Sequence, residues 1–269
     1  MNNRVRFTGS HVLITGAGSG IGRLMAIGAA RRGARVTIWD LSEERGTKVR
    51  DEIRSFGGQA QVRTIDITDR AAVDAAAADT GTVDILINNA GIVTGKRLLD
   101  SDPDAIQRTF AVNTLSLYWM TRAFLGGMLQ RDRGTVVTVA SAAGLVGVAR
   151  QTDYSASKFA AFGFNESLRA ELRTEGSSVR TLIVCPFYVN TGMFEGVKTK
   201  YPFLLPILDE DVVAEKILTA VSRGKEQLIM PGAVRLLPSG RMFPVRGFDA
   251  IMNALGVNRT MDHFVGRRG

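Results

Sequence analysis

Tyr154 and Lys158 stand four apart in the stretch TDYSASKFAAF, and Ser155, Ala156, Ser157, Ala160 and Ala161 around them are all small. Residues four apart on a helix share a face, so the spacing sets one phenol beside one ammonium on an otherwise low-profile surface. A free tyrosine, with a pKa of about 10, is a poor base at neutral pH; an ammonium close by favours its phenolate. Such a phenol can take a proton from an alcohol as hydride leaves, or return one to a ketone in the reverse direction. The pair alone is also the pattern of a surface tyrosine beside a solvated lysine, so its surroundings decide. Ser141 ends an apolar run in VASAAG, 13 residues before Tyr154. Ligands gather beyond the carboxyl ends of strands in an open α/β sheet, so this hydroxyl could hold a substrate oxygen, or simply close a turn. Asn113, in FAVNTLSL, falls mid-helix, where asparagine is not a strong helix former, and its apolar neighbours argue against a solvent-facing role.

A second constellation suits phosphate. TGAGSGIG sets Gly16, Gly18, Gly20 and Gly22 around Ser19 and Ile21, between the apolar run HVLITG and the helical pattern IGRLMAIGAARRG. Backbone amides at a helix N-terminus hold a pyrophosphate when side chains stay clear. Asp40 closes the next apolar run, RVTIWD, 18 residues after Gly22. A carboxylate there accepts from both hydroxyls of an adenosine ribose and repels a 2′-phosphate, which favours NAD over NADP. Arg35 and Arg45 are the nearest cations that would weaken the preference. Asp40 could instead cap the following helix, although Ser42 is placed to do that. A cationic nicotinamide ring would be a second support for the Tyr154 phenolate.

These groups need strands whose ends converge. After the first two runs come AQVRTIDITD, VDILINNAG, GTVVTVAS, SVRTLIVCP and EQLIMPG. Between them lie helical patterns: SEERGTKVRDEIRSFGG, DRAAVDAAAAD, a long stretch from about Pro103 to Gln130, the Tyr154 segment running to near Gly176, and DEDVVAEKILTAVSRG. Continuous apolar strands spaced by helices predict a parallel sheet covered on both faces. The expectation is α/β: one doubly wound domain over residues 1–269, with a lead-in at 1–9 and an extension at 231–269. The chain of 269 residues is 45% apolar and 22% charged, enough for a sizeable core. Cys185 is the single cysteine, so no intrachain disulfide forms, and its strand context reads as core. His11 and His263 are the only histidines, and no metal-ligand cluster is expected. No apolar run reaches membrane-spanning length and the opening MNNRVRFTGS has no apolar signal core; a cytoplasmic compartment is the expectation. The formal charge is +8, and the last 47 residues hold eight Lys or Arg against three Asp or Glu. With no aromatic-interleaved basic patch or recognition helix, no nucleic-acid partner is expected.

TGAGSGIG, NNAG at Asn88 to Gly91, Asn113, Ser141 and the Tyr154–Lys158 pair together resemble the short-chain dehydrogenase/reductase family, over residues 10–230. The resemblance implies a Rossmann-type sheet of seven parallel strands and a nicotinamide cofactor. It implies a catalytic tetrad falling on Asn113, Ser141, Tyr154 and Lys158, with Lys158 also on the nicotinamide ribose and Asn113 holding a water of a proton relay. By the same resemblance Asp66 and Ile67 lie beside the adenine and Asn89, Ala90 and Gly91 along the cofactor. Pro186 joins the cofactor contacts, with Val189 and Thr191 at the carboxamide. The family's usual Pro-Gly is Pro186–Phe187 here, which constrains the backbone and adds a ring near the nicotinamide. IWD, VASAAG, CPFYVNTGMF and TMDHFVGR resemble most the retinol dehydrogenase and 17β-hydroxysteroid dehydrogenase-like subgroup. That implies a bulky apolar alcohol and, from the family, a homodimer or homotetramer. Several relatives carry an N-terminal membrane anchor; none is expected here.

The segment TGMFEGVKTKYPFLLPILD is strongly apolar and is broken by Pro202 and Pro206. Residues 192–208 would suit a lid, with Phe187, Met193, Phe194 and Ser141 meeting an apolar substrate; a loop packed on the core or on another subunit would look the same. The tail AVRLLPSGRMFPVRGFDAIMNALGV mixes apolar and basic residues. It could lie on a membrane surface, close a neighbouring active site, or pack internally. The expected function is hydride transfer between NAD and a hydrophobic primary or secondary alcohol of retinoid, steroid or long-chain type, with Tyr154 as general acid and base. The alternatives are an NADPH-dependent ketone or aldehyde reductase and a non-catalytic NAD-binding sensor.

Overall fold

The computed structural model describes residues 5–266; residues 1–4 of the expected lead-in and 267–269 of the expected extension lie outside the described residues. Seven strands form: β1 (His11–Thr15), β2 (Arg35–Asp40), β3 (Gln59–Thr64), β4 (Ile85–Asn88), β5 (Thr135–Val139), β6 (Arg180–Pro186) and β7 (Gln227–Met230). They make one parallel sheet in the order β3-β2-β1-β4-β5-β6-β7. The sheet therefore grows one way from β1 to β3 and the other way from β4 to β7. The crevice beyond the carboxyl ends of β1 and β4 is the topological switch point, where doubly wound sheets bind ligands.

The helices are α1 (Gly20–Arg31), α2 (Glu43–Ser55), α3 (Arg70–Thr80), α4 (Pro103–Phe110), α5 (Ser116–Gln130), α6 (Thr152–Thr174), α7 (Glu210–Ser222) and α8 (Val245–Ala254). Alternation along the strands sends side chains to both faces. Ile14, Val36 and Ile38 pack with Met25 of α1, Val49 and Ile53 of α2 and Ile217 of α7. Leu13, Trp39, Leu86 and Val136 face the other way, onto Val73 of α3 and Met120, Phe124 and Met128 of α5. Each such fully buried side chain contributes about 1.5–3 kcal/mol. A third cluster joins Ile183, Cys185 and Phe187 to Val234, Met252, Val257 and Met261 of the segment after β7.

The long helical stretch expected from Pro103 to Gln130 is not uniform. A π-turn, Ala111–Leu115, separates α4 from α5. Such turns re-aim side chains within a helix and concentrate at functional sites; Asn113 sits in the middle of this one.

Candidate active site

The floor of the crevice is stitched by Thr15. Its Oγ1 accepts the N–H groups of Asn89 and Ala90 at 3.0 and 3.1 Å, and Asn89 Nδ2 donates to the Thr15 carbonyl at 3.0 Å. The glycine turn is thereby fixed to the end of β4. Gly16 turns the chain at φ +64° with its Cα against Ala90, a conformation that a side chain disfavours. A Cβ at Gly22 would strike the Gly16 carbonyl oxygen and Asn89 Nδ2. The first turn of α1 carries no acidic side chain, so no carboxylate competes there for an anion.

At the end of β2, Asp40 is pinned rather than loose. Its Oδ2 accepts the Gly18 N–H at 2.8 Å and its Oδ1 the Ser42 N–H at 2.9 Å. Ser42 takes the α2 cap, accepting the Arg45 N–H at 3.3 Å. Arg45 Nη2 lies 3.6 Å from Asp40 Oδ1, whereas Arg35, at the far end of β2, turns to His11 Nδ1 at 3.0 Å. A cradle too tight for side chains, leading to a fixed carboxylate, fits a dinucleotide.

Tyr154 and Lys158 lie on the first turns of α6, only 5% and 4% exposed. The Ser141 side chain lies beside the Tyr154 hydroxyl and favours its ionised form, and Ser141 Oγ accepts the Ala143 N–H at 3.1 Å. Lys158 Nζ donates to the Val139 carbonyl at 3.0 Å and stands 5.7 Å from the Tyr154 ring centroid. Burial raises the phenol well above its ordinary pKa, against a smaller opposing pull from the Ser141 hydroxyl. Burial lowers Lys158 to about 8. Among the protein's own groups, desolvation governs the phenol, while Lys158 directs its hydrogen bond to a carbonyl.

Two buried side chains hold the loop after β4 against α6. Asn113 Oδ1 accepts the Ile92 N–H at 2.9 Å, while its Nδ2 faces the Ile92 carbonyl at 2.9 Å and Ser157 Oγ at 3.0 Å. The Asp153 carboxylate, 4% exposed, accepts the Thr94 hydroxyl at 2.8–2.9 Å and the Thr109 hydroxyl at 3.1 Å.

A cavity of about 290 Å³ runs from the glycine turn to Phe194. Every residue singled out from the sequence as a cofactor, catalytic or substrate contact lines it, except Gly18 and Asn113. Gly18 instead presents its N–H to Asp40, and Asn113 sits behind the wall on Ile92. Phe187, Met193 and Phe194 form the apolar end, and a small annex beyond Ser141 is closed by Leu237 and Val257. Phe194 stands edge-on to Tyr154 at 5.8 Å and to Tyr188 at 5.0 Å.

Residues 192–208 form a loop closed at its neck by a bridge between Val189 and Leu208. The C-terminal segment braces it: Lys198 N–H donates to the Thr260 carbonyl at 3.2 Å and Val265 N–H to the Glu195 carbonyl at 2.9 Å. Arg150, at φ +62° before α6, pairs with Asp262 at 3.2 Å. Residues 257–265 therefore pack against this loop, just beyond the tail of residues 233–257 for which the sequence leaves three arrangements open. Thr15, Asp153, Leu237 and Val257 were not singled out from sequence. Asp153 had a signal, a carboxylate among small residues beside Tyr154; Leu237 and Val257 had none.

The family model for short chain dehydrogenase matches residues 10–202. The chain belongs to the short-chain dehydrogenase family. It is 46% identical over 231 residues to short-chain dehydrogenase/reductase family 16C member 6 of Bos taurus, covering 83% of this chain and 73% of that one. It is 40% identical over 272 residues to epidermal retinol dehydrogenase 2 of Mus musculus, covering 98% and 88%. The short-chain dehydrogenase of Burkholderia phymatum solved in complex with NAD superposes with a TM-score of 0.79 at 26% identity, over 88% of this chain and 96% of that one. The curated relatives include retinol and 17-beta-hydroxysteroid dehydrogenases, which places this short-chain dehydrogenase in that subgroup. It is an oxidoreductase of the class acting on CH–OH groups with a nicotinamide cofactor.

Proposed function

We propose that this short-chain dehydrogenase oxidises a hydrophobic alcohol, of retinoid, steroid or long-chain type, with NAD. The observation that carries the proposal is that Ser141 and Tyr154 line one cavity, whose far end is Phe187, Met193 and Phe194. Ser141 holds the substrate oxygen, and Tyr154 takes its proton during oxidation or returns it during reduction. Lys158 orients and charges the site from below; the aromatic walls exclude water and bind the apolar body. A nicotinamide, when bound, supplies the hydride acceptor and a positive charge. Asp40 supports NAD through the ribose hydroxyls. One observation favours a second reading, NADPH-dependent reduction: Arg45 lines the same end of the cavity 3.6 Å from Asp40 and could pair with a 2′-phosphate.

The test is NADH formation across alcohols graded by size and apolarity, with Tyr154→Phe as the blank. Turnover should rise with apolar bulk, and the variant should lose about a thousandfold with dinucleotide affinity kept. Turnover confined to small polar alcohols would discard the apolar substrate, and a preference for NADPH would discard the reading of Asp40. NAD binding without turnover across the panel would leave the sensor.

A further inference from the structure

We infer that residues 241–246 dock this enzyme on an anionic phospholipid surface, beside the wall of its substrate cavity. The stretch reads Arg-Met-Phe-Pro-Val-Arg. Met242, Phe243 and Val245 are 89%, 58% and 75% exposed, with Leu236 nearby in sequence at 73%. Such a cluster is costly in water and marks a contact surface. Its base is fixed: the Arg241 guanidinium lies 4.9 Å from the Phe159 ring centroid and donates to the Leu145 carbonyl at 2.9 Å. Arg235 and Arg246 are exposed and have no ion-pair partner among the described residues. Asp249 is the nearest acid in sequence, and Asp262 is engaged by Arg150. Apolar side chains flanked by unpaired arginines match a bilayer interface, where acyl chains take the former and anionic headgroups the latter. A two-fold contact with a second copy presents the same patch to itself and would bring these arginines close to their own copies. No helix among the described residues is long and apolar enough to cross a membrane.

The inner face of the same segment supplies the reason for the contact. Val234 and Met252 are buried in the cluster beneath the substrate end, and Leu237 walls the annex beside Ser141. One side of the segment thus meets the cavity while the other meets solvent. An apolar alcohol partitions into bilayers, so a docked loop brings its reservoir next to the site. That purpose rests on the proposed substrate class; the contact itself does not.

The experiment is co-sedimentation with phosphatidylcholine vesicles and with equimolar phosphatidylcholine and phosphatidylserine vesicles, read without turnover. Wild type should bind the anionic vesicles and bind the neutral ones at least tenfold less. Arg235→Gln with Arg246→Gln should weaken anionic binding roughly tenfold to thirtyfold. Met242→Ser, Phe243→Ser and Val245→Ser together should weaken it at least tenfold. Unchanged circular dichroism, and unchanged NADH formation with a water-soluble alcohol, would show that the variants fold. Failure of wild type to bind the anionic vesicles, or equal binding by folded variants, overturns the inference. So does loss of a wild-type dimer in the triple serine variant without vesicle binding, which would assign the patch to a second copy. Vesicle binding with no apolar-alcohol turnover would overturn the substrate proposal and leave the docking surface standing.

Discussion

The two ends of the cavity are built by different means. The end at β1, β2 and β4 is backbone architecture: the glycine turn, the Thr15 stitch and Asp40 held by two main-chain N–H groups. The end beyond β6 is side-chain packing, with Phe187, Tyr188 and Phe194 in edge contacts, Phe264 tilted against Phe194, and residues 257–265 braced across the loop. Hydrogen-bonded backbone admits few substitutions, whereas hydrophobic packing tolerates exchange when volume and patterning are kept. One end can therefore stay constant for a shared cofactor while the other varies with substrate. Between them stands the buried pair of Tyr154 and Lys158, which belongs to neither scheme because burying a charge opposes stability.

Lys158→Met breaks the comparison most sharply. Turnover should fall by about a thousandfold, yet the fold should gain stability. The folded lysine releases its proton at about 8, while the unfolded one holds it to about 10.4. Below pH ~8 the wild type carries the full penalty of a buried ammonium, about 3 kcal/mol as an upper bound. Between the two values the unfolded chain binds more protons, so wild-type stability rises with pH. Urea unfolding without added cofactor should show the methionine variant ahead at pH ~7, with the lead shrinking as pH rises toward ~10. A variant less stable than wild type at neutral pH would mean that Lys158 is structural cement.

The cofactor end was legible in the sequence because its parts are local. A strand, a glycine turn and a helix start follow one another within TGAGSGIG and its flanks, and Asp40 marks a strand end; six strands announce themselves as apolar runs, while the edge strand β3, QAQVRT, shows only alternation. The substrate end was legible only as composition. The segment after β7 is short 3-10 turns, Gly232–Leu236 and Pro238–Met242, and a single amphipathic helix. None has a period long enough to assign a face, so Leu237 and Val257 could not be placed on the cavity. Asn113 was suspected from its residue type, but the π-turn that aims it at Ile92 has no signature in the letters. Tyr154 shows the remaining limit: spacing places it beside a lysine, but only burial decides which way its proton equilibrium moves.

Asp153→Ala tests the seam between the two ends. It removes the acceptor for the part-buried Thr94 hydroxyl and the weaker of two for Thr109, which keeps the Ala105 carbonyl at 2.9 Å, at about 1–3 kcal/mol for a group left without a partner. The loop after β4 should loosen against α6, and kcat should fall roughly tenfold to a hundredfold with a smaller change in dinucleotide affinity. Asp153→Asn keeps an acceptor for the hydroxyls and should recover most of the stability. Equal damage from both variants would point to a role for the charge itself, and steady-state kinetics with chemical unfolding separates the cases.

Phe194→Ala carries the smallest and most selective effect. The ring lines both the main cavity and its annex and touches Tyr154 and Tyr188 edge-on, but it takes no part in the glycine turn or the Asp40 clamp. Each edge contact is worth about 0.5–1.5 kcal/mol, so stability should drop only slightly. KM for a bulky apolar alcohol should rise roughly tenfold, matching ~1.4 kcal/mol of lost uniform binding. KM for a short alcohol, kcat and NAD affinity should hold, because a small substrate never reaches the missing wall. If NAD affinity falls in step with KM, the two ends are coupled and the division between backbone-built and side-chain-built halves fails. If only the bulky substrate suffers, the aromatic end sets substrate size independently of the cofactor floor, as its construction from packing implies.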